Sequence, residues 1–190
     1  MQLRVKIKGL EDARRKLERA GRRVDPALRG ALNTTATKTR AERYVKPLRA
    51  SIQPKRVRGA MRIKRARRGM MNSRIIPSSA GIPVVHYKSW GFDAIDSTRA
   101  RIWVQGPGSR KTAAGFVNPN SKNKLPLSTR SSKAGRNGKA YTYKRHLQLA
   151  QGPSVAHWFK SLSGSGTQSW VSAFLQKEFS KRIQKELDKA

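Results

Sequence analysis

The sequence predicts an α+β fold: an N-terminal strand and helices, a small antiparallel sheet or partial barrel in the middle, and a C-terminal amphipathic helix. Apolar residues alternate with basic ones over 3–7 and recur at helical spacing near both ends. The middle carries short β-branched and aromatic runs between glycine- and proline-containing turns. With 190 residues the chain can bury a real core, and we predict a single domain spanning 1–190.

Two helices are predicted after the first strand. Leu10–Ala20 has apolar residues at helical spacing and acidic residues in its first turn. Asp25–Pro26 is a favourable opening for a second, longer helix that runs through about Ala50. This helix is lined with small residues, so it can lie close against another backbone. Pro47 is expected to kink it or end it near Val45.

The middle of the chain is predicted to form short elements separated by turns. In chain order these are a basic helix opened by Pro54, strands within Met61–Ile76, a loop over Pro77–Pro83, a strand with Val84, Val85 and Tyr87, a strand Ala100–Val104, a turn at Gly106–Gly108, a hairpin partner at Ala114–Val117, a long basic loop over 118–139, and a strand Ala140–Leu149.

Two helices are predicted at the C-terminal end. Gly152–Ser154 introduces a short one, and a glycine-containing break at Gly164–Gly166 separates it from the last helix, Thr167–Leu187. Apolar residues recur at every fourth position of the last helix. This stripe can close the core of the subunit or supply contacts between subunits, and we favour the core.

The chain is strongly and unevenly basic. Lys and Arg total 43 against 10 Asp and Glu, which gives a net charge of +33. Between Pro26 and Phe92 the only acidic residue is Glu42, and between Ser97 and Lys177 there is none. Because like charges repel across a compact body, this excess predicts a polyanionic partner, of which nucleic acid is the commonest.

Three groups of cations are the candidate nucleic-acid-binding residues. Each would neutralise backbone phosphates, so binding would be steeply salt-dependent and largely indifferent to base sequence. The candidates are Lys55, Arg56, Arg58, Arg62, Lys64, Arg65, Arg67 and Arg68; the turn residues Arg110 and Lys111; and the loop residues Lys122, Lys124, Arg130, Lys133, Arg136 and Lys139.

Catalytic and metal-binding patterns are sparse. The chain has no cysteine, and its three histidines lack metal-ligand spacing. Asp93 with Asp96 is the nearest approach to a paired acidic site, and two such acids more often cap a turn than bind a metal. The Gly106–Gly108 region lacks the spacing of a phosphate-binding loop. We therefore expect no enzyme activity, no cofactor and no metal. No signal peptide or membrane span is indicated either.

Several short segments, taken in order, resemble the minor tail protein Z family of tailed phages, the tail completion proteins. These segments are Val5–Leu10, Ala31–Ala36 leading to Ile52–Arg58, Ala100–Val104 followed by Ala114–Val117, Gly152–Val155, and the closing amphipathic helix.

The resemblance implies a structural subunit of the virion, at the head-proximal end of the tail and assembled in the host cytoplasm. Such a subunit would join tail to head and help to hold the end of the packaged double-stranded DNA. The implied partners are copies of itself in a ring and neighbouring tail proteins, namely the tail terminator, the tail tube and the tape-measure protein. No membrane and no small-molecule substrate is implied.

Two other classes of function stay open at this stage. A ribosomal or other RNA-associated protein would have an equally high pI and long basic loops. A nuclease would need a clustered acidic metal site, for which Asp93 with Asp96 is the only local candidate. Selectivity for structured RNA would favour the first class, and metal-dependent cleavage would favour the second.

Overall fold

The structure is a computed structural model that describes residues 7–19, 24–97, 100–134 and 140–188; for residue 19 and residues 129–146 within those ranges, only the backbone is described. The strand predicted over 3–7 lies largely outside the described residues, and so does Ala20, the last residue of the first predicted helix. The rest is a mixture of helices and short antiparallel strands, which confirms the predicted α+β class.

Helices lie towards both ends of the described chain and strands predominate in the middle, as the sequence predicts. In chain order they are α1 (Leu10–Arg19), α2 (Val24–Thr39), a π-helical segment (Arg40–Val45), α3 (Lys46–Ser51), α4 (Pro54–Arg58), β1 (Met61–Lys64), β2 (Arg74–Pro77), β3 (Ile82–Pro83), a 3-10 turn (Val84–His86), β4 (Trp90–Ala94), β5 (Ala100–Gln105), β6 (Arg110–Thr112), β7 (Leu127–Ala134), β8 (Ala140–Leu149), β9 (Gln151–Gly152), α5 (Val155–Leu162) and α6 (Ser165–Leu187). Among the described residues, no helix has both the length and the apolar character needed to cross a bilayer.

The chain divides into two compact units. Unit 1 contains residues 1–47, 59–77 and 159–190, and unit 2 contains residues 48–58 and 78–158. The single tail-completion-like domain over 1–190 stays a prediction. Because the densest basic cluster of the sequence spans residues 55–68, the boundary near residue 59 divides that cluster between the two units.

Unit 1 is held together by the packing of α1, α2 and α6. The stripe predicted on the last helix is buried here, with Leu175, Phe179 and Ile183 packed against small residues of α2 such as Ala27 and Ala31. Small side chains let the two backbones approach closely, as the sequence predicts for α2. The stripe is therefore part of a core, and the alternative that it supplies contacts between subunits is not needed to explain it.

Pro47 does not end the helical chain, but the helix changes its winding just before it, in a segment that ends at Val45, where the sequence predicts a kink or an end. The regular α-helix stops at Thr39, a π-helical turn covers Arg40–Val45, and α3 continues through Ser51. Lys46 donates its N–H to the carbonyl of Ala41, five residues back. The wider turn places Pro47 at the start of a new α-helical segment, where a missing N–H costs least.

Unit 2 contains a three-stranded antiparallel sheet in the order β4–β5–β6 and a long hairpin of β7 with β8. The predicted turn at Gly106–Gly108 joins β5 to β6. The predicted hairpin partner of β5 was wrong, because Arg110–Thr112 pairs with β5 and Phe116 instead bridges Leu127. The intervening residues turn away from the sheet after Ala113, whose N–H donates to Ile102.

Two further predictions for the middle of the chain were wrong. Val84–His86 is a 3-10 turn and not part of a strand. Val84 is buried, and its N–H donates to the carbonyl of Ala150. The β-branched side chain, which is typical of strands, therefore packs into the core from a turn. Leu127–Ala134 is a strand and not part of a long loop. This strand is polar, so it lacks the alternation of apolar and polar residues by which strands are predicted. Its backbone can pair with β8 without an apolar face. Residues 135–139 lie outside the described residues.

The core of unit 2 is organised around Trp158, which is fully buried. Its indole N–H donates to the hydroxyl of Tyr87 at 3.0 Å, and that hydroxyl donates to the carbonyl of Pro153 at 2.6 Å. Burial raises the pKa of Tyr87 to about 12, although the hydrogen bond from Trp158 offsets part of the rise. The phenol therefore stays protonated and keeps donating.

A basic hairpin as the candidate polyanion-binding site

The hairpin formed by β1 and β2 in unit 1 has one basic face. Its register pairs Lys64 with Arg74 and Arg62 with Ile76, and directly opposed residues of an antiparallel pair share a face. The four side chains are exposed. The opposite face carries Met61, which is buried, together with three half-buried apolar residues, Ile63, Ile75 and Pro77. The alternation of the two strands therefore directs the charges to solvent.

The tip of the hairpin carries two more cations. Arg67 and Met70 exchange backbone hydrogen bonds of 3.1 and 2.9 Å around Arg68 and Gly69. Gly69 has a positive φ of 76°, a conformation that closes such a tight turn and that glycine adopts without steric cost. The turn leaves Arg67 and Arg68 exposed at its end.

Asn33 of α2 anchors the hairpin to the helix. Its side-chain amide donates to the carbonyl of Ala66 at 3.1 Å and its amide oxygen accepts the N–H of Ala66 at 2.8 Å. Ala66 is buried, so both of its backbone polar groups would lack a partner without Asn33. Asn33 also lies within the segment Ala31–Ala36 that carries the family resemblance, and its structural role is this contact.

The six cations of the hairpin have no acidic partner among the residues that the structure describes. All are exposed, and the described residues contain no ion pair that involves any of them. Lys64 and Arg74 even face each other directly, which is unfavourable for two like charges. We call this surface the basic hairpin; it consists of Arg62, Lys64, Arg65, Arg67, Arg68 and Arg74.

Sequence analysis found five of these six residues and missed Arg74. Arg74 stands ten positions after Lys64 and outside any run of charges, so clustering along the chain does not select it. Only the pairing register of the hairpin places it opposite Lys64. The glycine at 69 was the sequence signal for a turn that could have suggested this proximity.

Three predicted residues, Lys55, Arg56 and Arg58, lie on α4 in unit 2, and all are exposed. Arg56 approaches the ring nitrogen Nε2 of His86 at 2.8 Å, and the other ring nitrogen contacts Gln53 at 3.0 Å. Partial burial lowers the pKa of His86, and the neighbouring Arg56 charge lowers it further. A lowered pKa favours the neutral imidazole, in which Nε2 can accept from Arg56.

Arg110 is not a free cation, although the sequence marked it as one. Its guanidinium lies 3.9 Å from the ring centre of Trp103 and donates to both carboxylate oxygens of Asp93, at 3.0 and 2.7 Å. A phosphate would have to compete with this carboxylate for the same donor. Arg110 is thus a structural partner within the β4–β5–β6 sheet.

The remaining candidates are dispersed. Lys111 lies on β6, and Lys122 and Lys124 lie in the loop before β7; all three are exposed. The backbones of Arg130 and Lys133 lie on β7. Arg136 and Lys139 are outside the described residues.

Asp93 and Asp96 are the acidic pair that the sequence offers for a metal. Asp93 is engaged with Arg110, and no group of three or more His, Cys, Asp or Glu side chains converges among the described residues. The carboxylate of Asp93 would have to give up this guanidinium before it could bind a divalent cation.

Comparisons of the chain with protein-family models, with curated proteins and with solved structures found no match.

Proposed function

We propose that this chain is a structural, non-catalytic tail completion protein of a tailed phage. It would act at the head-proximal end of the tail, join tail to head and help to position the end of the packaged double-stranded DNA. Its partners would be further copies of itself in a ring and the neighbouring tail terminator, tail tube and tape-measure proteins.

The observation that carries the proposal is the basic hairpin. Six exposed cations occupy one short hairpin that has no acidic residue of its own. Holding them together costs free energy in the isolated protein, and a polyanion would offset that cost. Duplex DNA carries a negative charge about every 1.7 Å of helix axis, so several of these side chains can reach phosphates at once.

The kind of contact follows from the geometry. The cations project from a two-stranded hairpin and its turn, and residues 61–77 include no aromatic side chain on which bases could stack. Such a surface binds phosphates without reading bases. Sequence-independent binding suits a protein that meets whatever sequence lies at a DNA end.

The phage assignment is supported by the order of the family-like segments. Three of them form definite elements here: Ala31–Ala36 lies on α2 and holds the hairpin anchor Asn33, Ala100–Val104 lies on β5, and the closing helix is α6. A ring of subunits would repeat the basic hairpin around an axis, so that modest contacts in each copy would add up.

The hairpin assignment is tested with two variants of equal charge. Arg65, Arg67 and Arg68 are changed to Gln in one, and the exposed α6 residues Lys177, Lys181 and Lys185 in the other. Affinity for a short duplex is measured against NaCl concentration. The slope of log K against log[salt] is negative, and we expect its magnitude to decrease by about 2–3 for the hairpin variant and by less than about 1 for the control.

Equal slopes for the two variants would show that only net charge matters, and the hairpin assignment would be wrong. A structured RNA hairpin bound much more tightly than the duplex at matched salt would favour the RNA-associated alternative.

The phage role needs a separate experiment in particles. Virions are assembled without this protein, and with the hairpin variant, and are imaged. We expect heads and tails to accumulate separately, or to join without a seated DNA end. Normal joining with DNA correctly seated would overturn the proposal.

A further inference from the structure

Unit 1 contains an apolar cleft of about 550 Å³, which shares Arg74 with the basic hairpin and is otherwise lined by residues outside the proposed DNA contact. One wall is formed by α2 and the other by the end of α5 and the start of α6, and residues 72–77 close its third side. Apolar side chains such as Leu32, Phe159 and Val171 line it. A cleft of this size is large enough for a peptide segment.

β2 presents its edge to this cleft. Residues 72–77 line it consecutively, whereas a strand that showed a face would contribute alternate residues only. Within the described residues β2 pairs with β1 alone, and no other backbone hydrogen bond reaches Arg74, Ile75 or Ile76. Alternate N–H and C=O groups of β2 therefore point away from β1 without a backbone partner, as at any open sheet edge.

The walls of the cleft also hold polar atoms without a partner. The hydroxyl oxygens of Thr35 and Thr39 and the amide oxygen of Asn72 are buried, and each lacks a hydrogen bond to any part of the chain that the structure describes. Both threonines are more than nine-tenths buried. Buried polar atoms without partners are costly, and an occupant that supplies polar backbone groups would relieve them.

The charges around the cleft select the occupant. No acidic residue lines it, the exposed Arg74 lies on its edge, and Arg43 reaches its opposite wall at Thr167, 3.4 Å away. The strands that the structure describes carry one acidic residue, Asp93, so an extended segment of a second copy would not match this basic rim; ring contacts made elsewhere on the surface are not affected. An extended apolar segment with acidic residues fits both the apolar lining and the basic rim.

We propose that this cleft binds an extended, acidic segment of a different protein, which adds to β2 as a third strand. Alternate apolar side chains of that segment fill the cleft, and its backbone pairs with the open edge of β2. The inference goes beyond the DNA contact and does not depend on it.

The test uses the full chain and a labelled peptide of roughly nine residues, with alternating Val and Thr flanked by Asp and Glu. Two N-methylated versions block the odd or the even backbone amides. We expect saturable micromolar binding, a loss of at least about tenfold for one N-methylated set but not for the other, and a similar loss when Lys replaces the acidic flanks.

Location is read from amide hydrogen exchange. Peptide binding should slow exchange at alternate residues of β2, the residues whose N–H groups face the cleft. No binding, equal effects of both N-methylated sets, equal binding of the Lys-flanked peptide, or binding without protection of β2 would each overturn the proposal. So would self-association of the protein that displaces the peptide. The assay contains no nucleic acid, so its failure is distinct from failure of the DNA proposal.

Discussion

At the scale of single residues, the ring of Trp158 packs against Gly106 and leaves no room for a larger residue there. A methyl group at this position would lie 2.2 Å from two ring atoms of Trp158. Trp158 is fully buried and held by its hydrogen bond to Tyr87, so the ring cannot move aside cheaply. By contrast, Gly166 lies in α6 with nothing within 4 Å of the added methyl.

We therefore predict opposite effects for the same substitution at these two glycines. Gly106→Ala should destabilise the protein by about 1–3 kcal/mol through overpacking. Gly166→Ala should stabilise it by up to about 1 kcal/mol by limiting the freedom of the unfolded chain. Urea denaturation measures both. A neutral Gly106→Ala would show that the indole is free to shift.

Tyr87 predicts a dependence of stability on alkaline pH. Its pKa is about 12 in the folded protein, raised by burial, against about 10 in an unfolded chain. The folded state thus holds a proton that the unfolded state releases between these values. The resulting stabilisation is fully present below about pH 10 and is lost as the pH rises through about 12.

The matched measurement compares the native protein with Tyr87→Phe. At neutral pH the variant should be less stable, since Trp158 loses its acceptor and Pro153 its donor. Between pH 10 and 12 the free energy of unfolding of the native protein should fall relative to the variant by about 1–3 kcal/mol. Parallel pH profiles would mean that the phenol is not held protonated.

At the scale of elements, the basic hairpin depends on one side chain of a neighbouring helix. Charge repulsion works against the hairpin, and a two-stranded ribbon is marginal by itself. Its apolar face and the two hydrogen bonds from Asn33 to Ala66 oppose that repulsion. Asn33 is therefore a positioning residue for the cations, although it does not contact a polyanion itself.

Asn33→Ala should destabilise the protein by about 1–3 kcal/mol and speed amide exchange across the hairpin, because it leaves both polar groups of Ala66 unpaired. Asn33→Asp should cost less, since it keeps the acceptor for the N–H of Ala66. The control is Thr37→Val on the same helix, whose exposed hydroxyl bonds only to its own helical turn. Equal exchange in all three variants would contradict the anchoring role.

At the scale of the whole molecule, the charge of +33 makes the free protein sensitive to ionic strength. Three of the described ion pairs, Arg14–Glu11, Arg15–Asp12 and Arg110–Asp93, are exposed, so they offset little of the repulsion. Salt screens exposed charges over about 10 Å at 0.1 M, and a bound polyanion neutralises them directly.

Raising NaCl from about 0.05 to 0.5 M should therefore raise the Tm of the free protein by several degrees. At low salt, a short DNA duplex should raise it further, and this extra gain should disappear at high salt. Differential scanning fluorimetry follows both effects. A Tm that is insensitive to salt would mean that the charges are too dispersed to repel one another.

Periodicity and composition were sufficient to predict those elements whose own residues form a recognisable pattern. The amphipathic α6, the small-residue face of α2 and strand β5 were all predicted. In each, the spacing of apolar or small residues along the element indicates which side is buried. The cationic character of the hairpin was equally visible, because it depends only on which residues are present.

Long-range pairing was decided by the tertiary structure. Leu127–Ala134 is a strand because β8 supplies its backbone hydrogen-bond partners. Val84 lies in a turn and not in the predicted strand, and its side chain is buried in the core. The neutralisation of Arg110 by Asp93, the placement of Arg74 opposite Lys64 and the open edge of β2 depend on strand pairing between residues that are not neighbours in the sequence. The sequence by itself determined the fold class and the amount of charge, which are properties of local composition. Only the tertiary structure decided which cations lie together without an acidic partner among the described residues. That arrangement depends on strand register and on packing between separate segments.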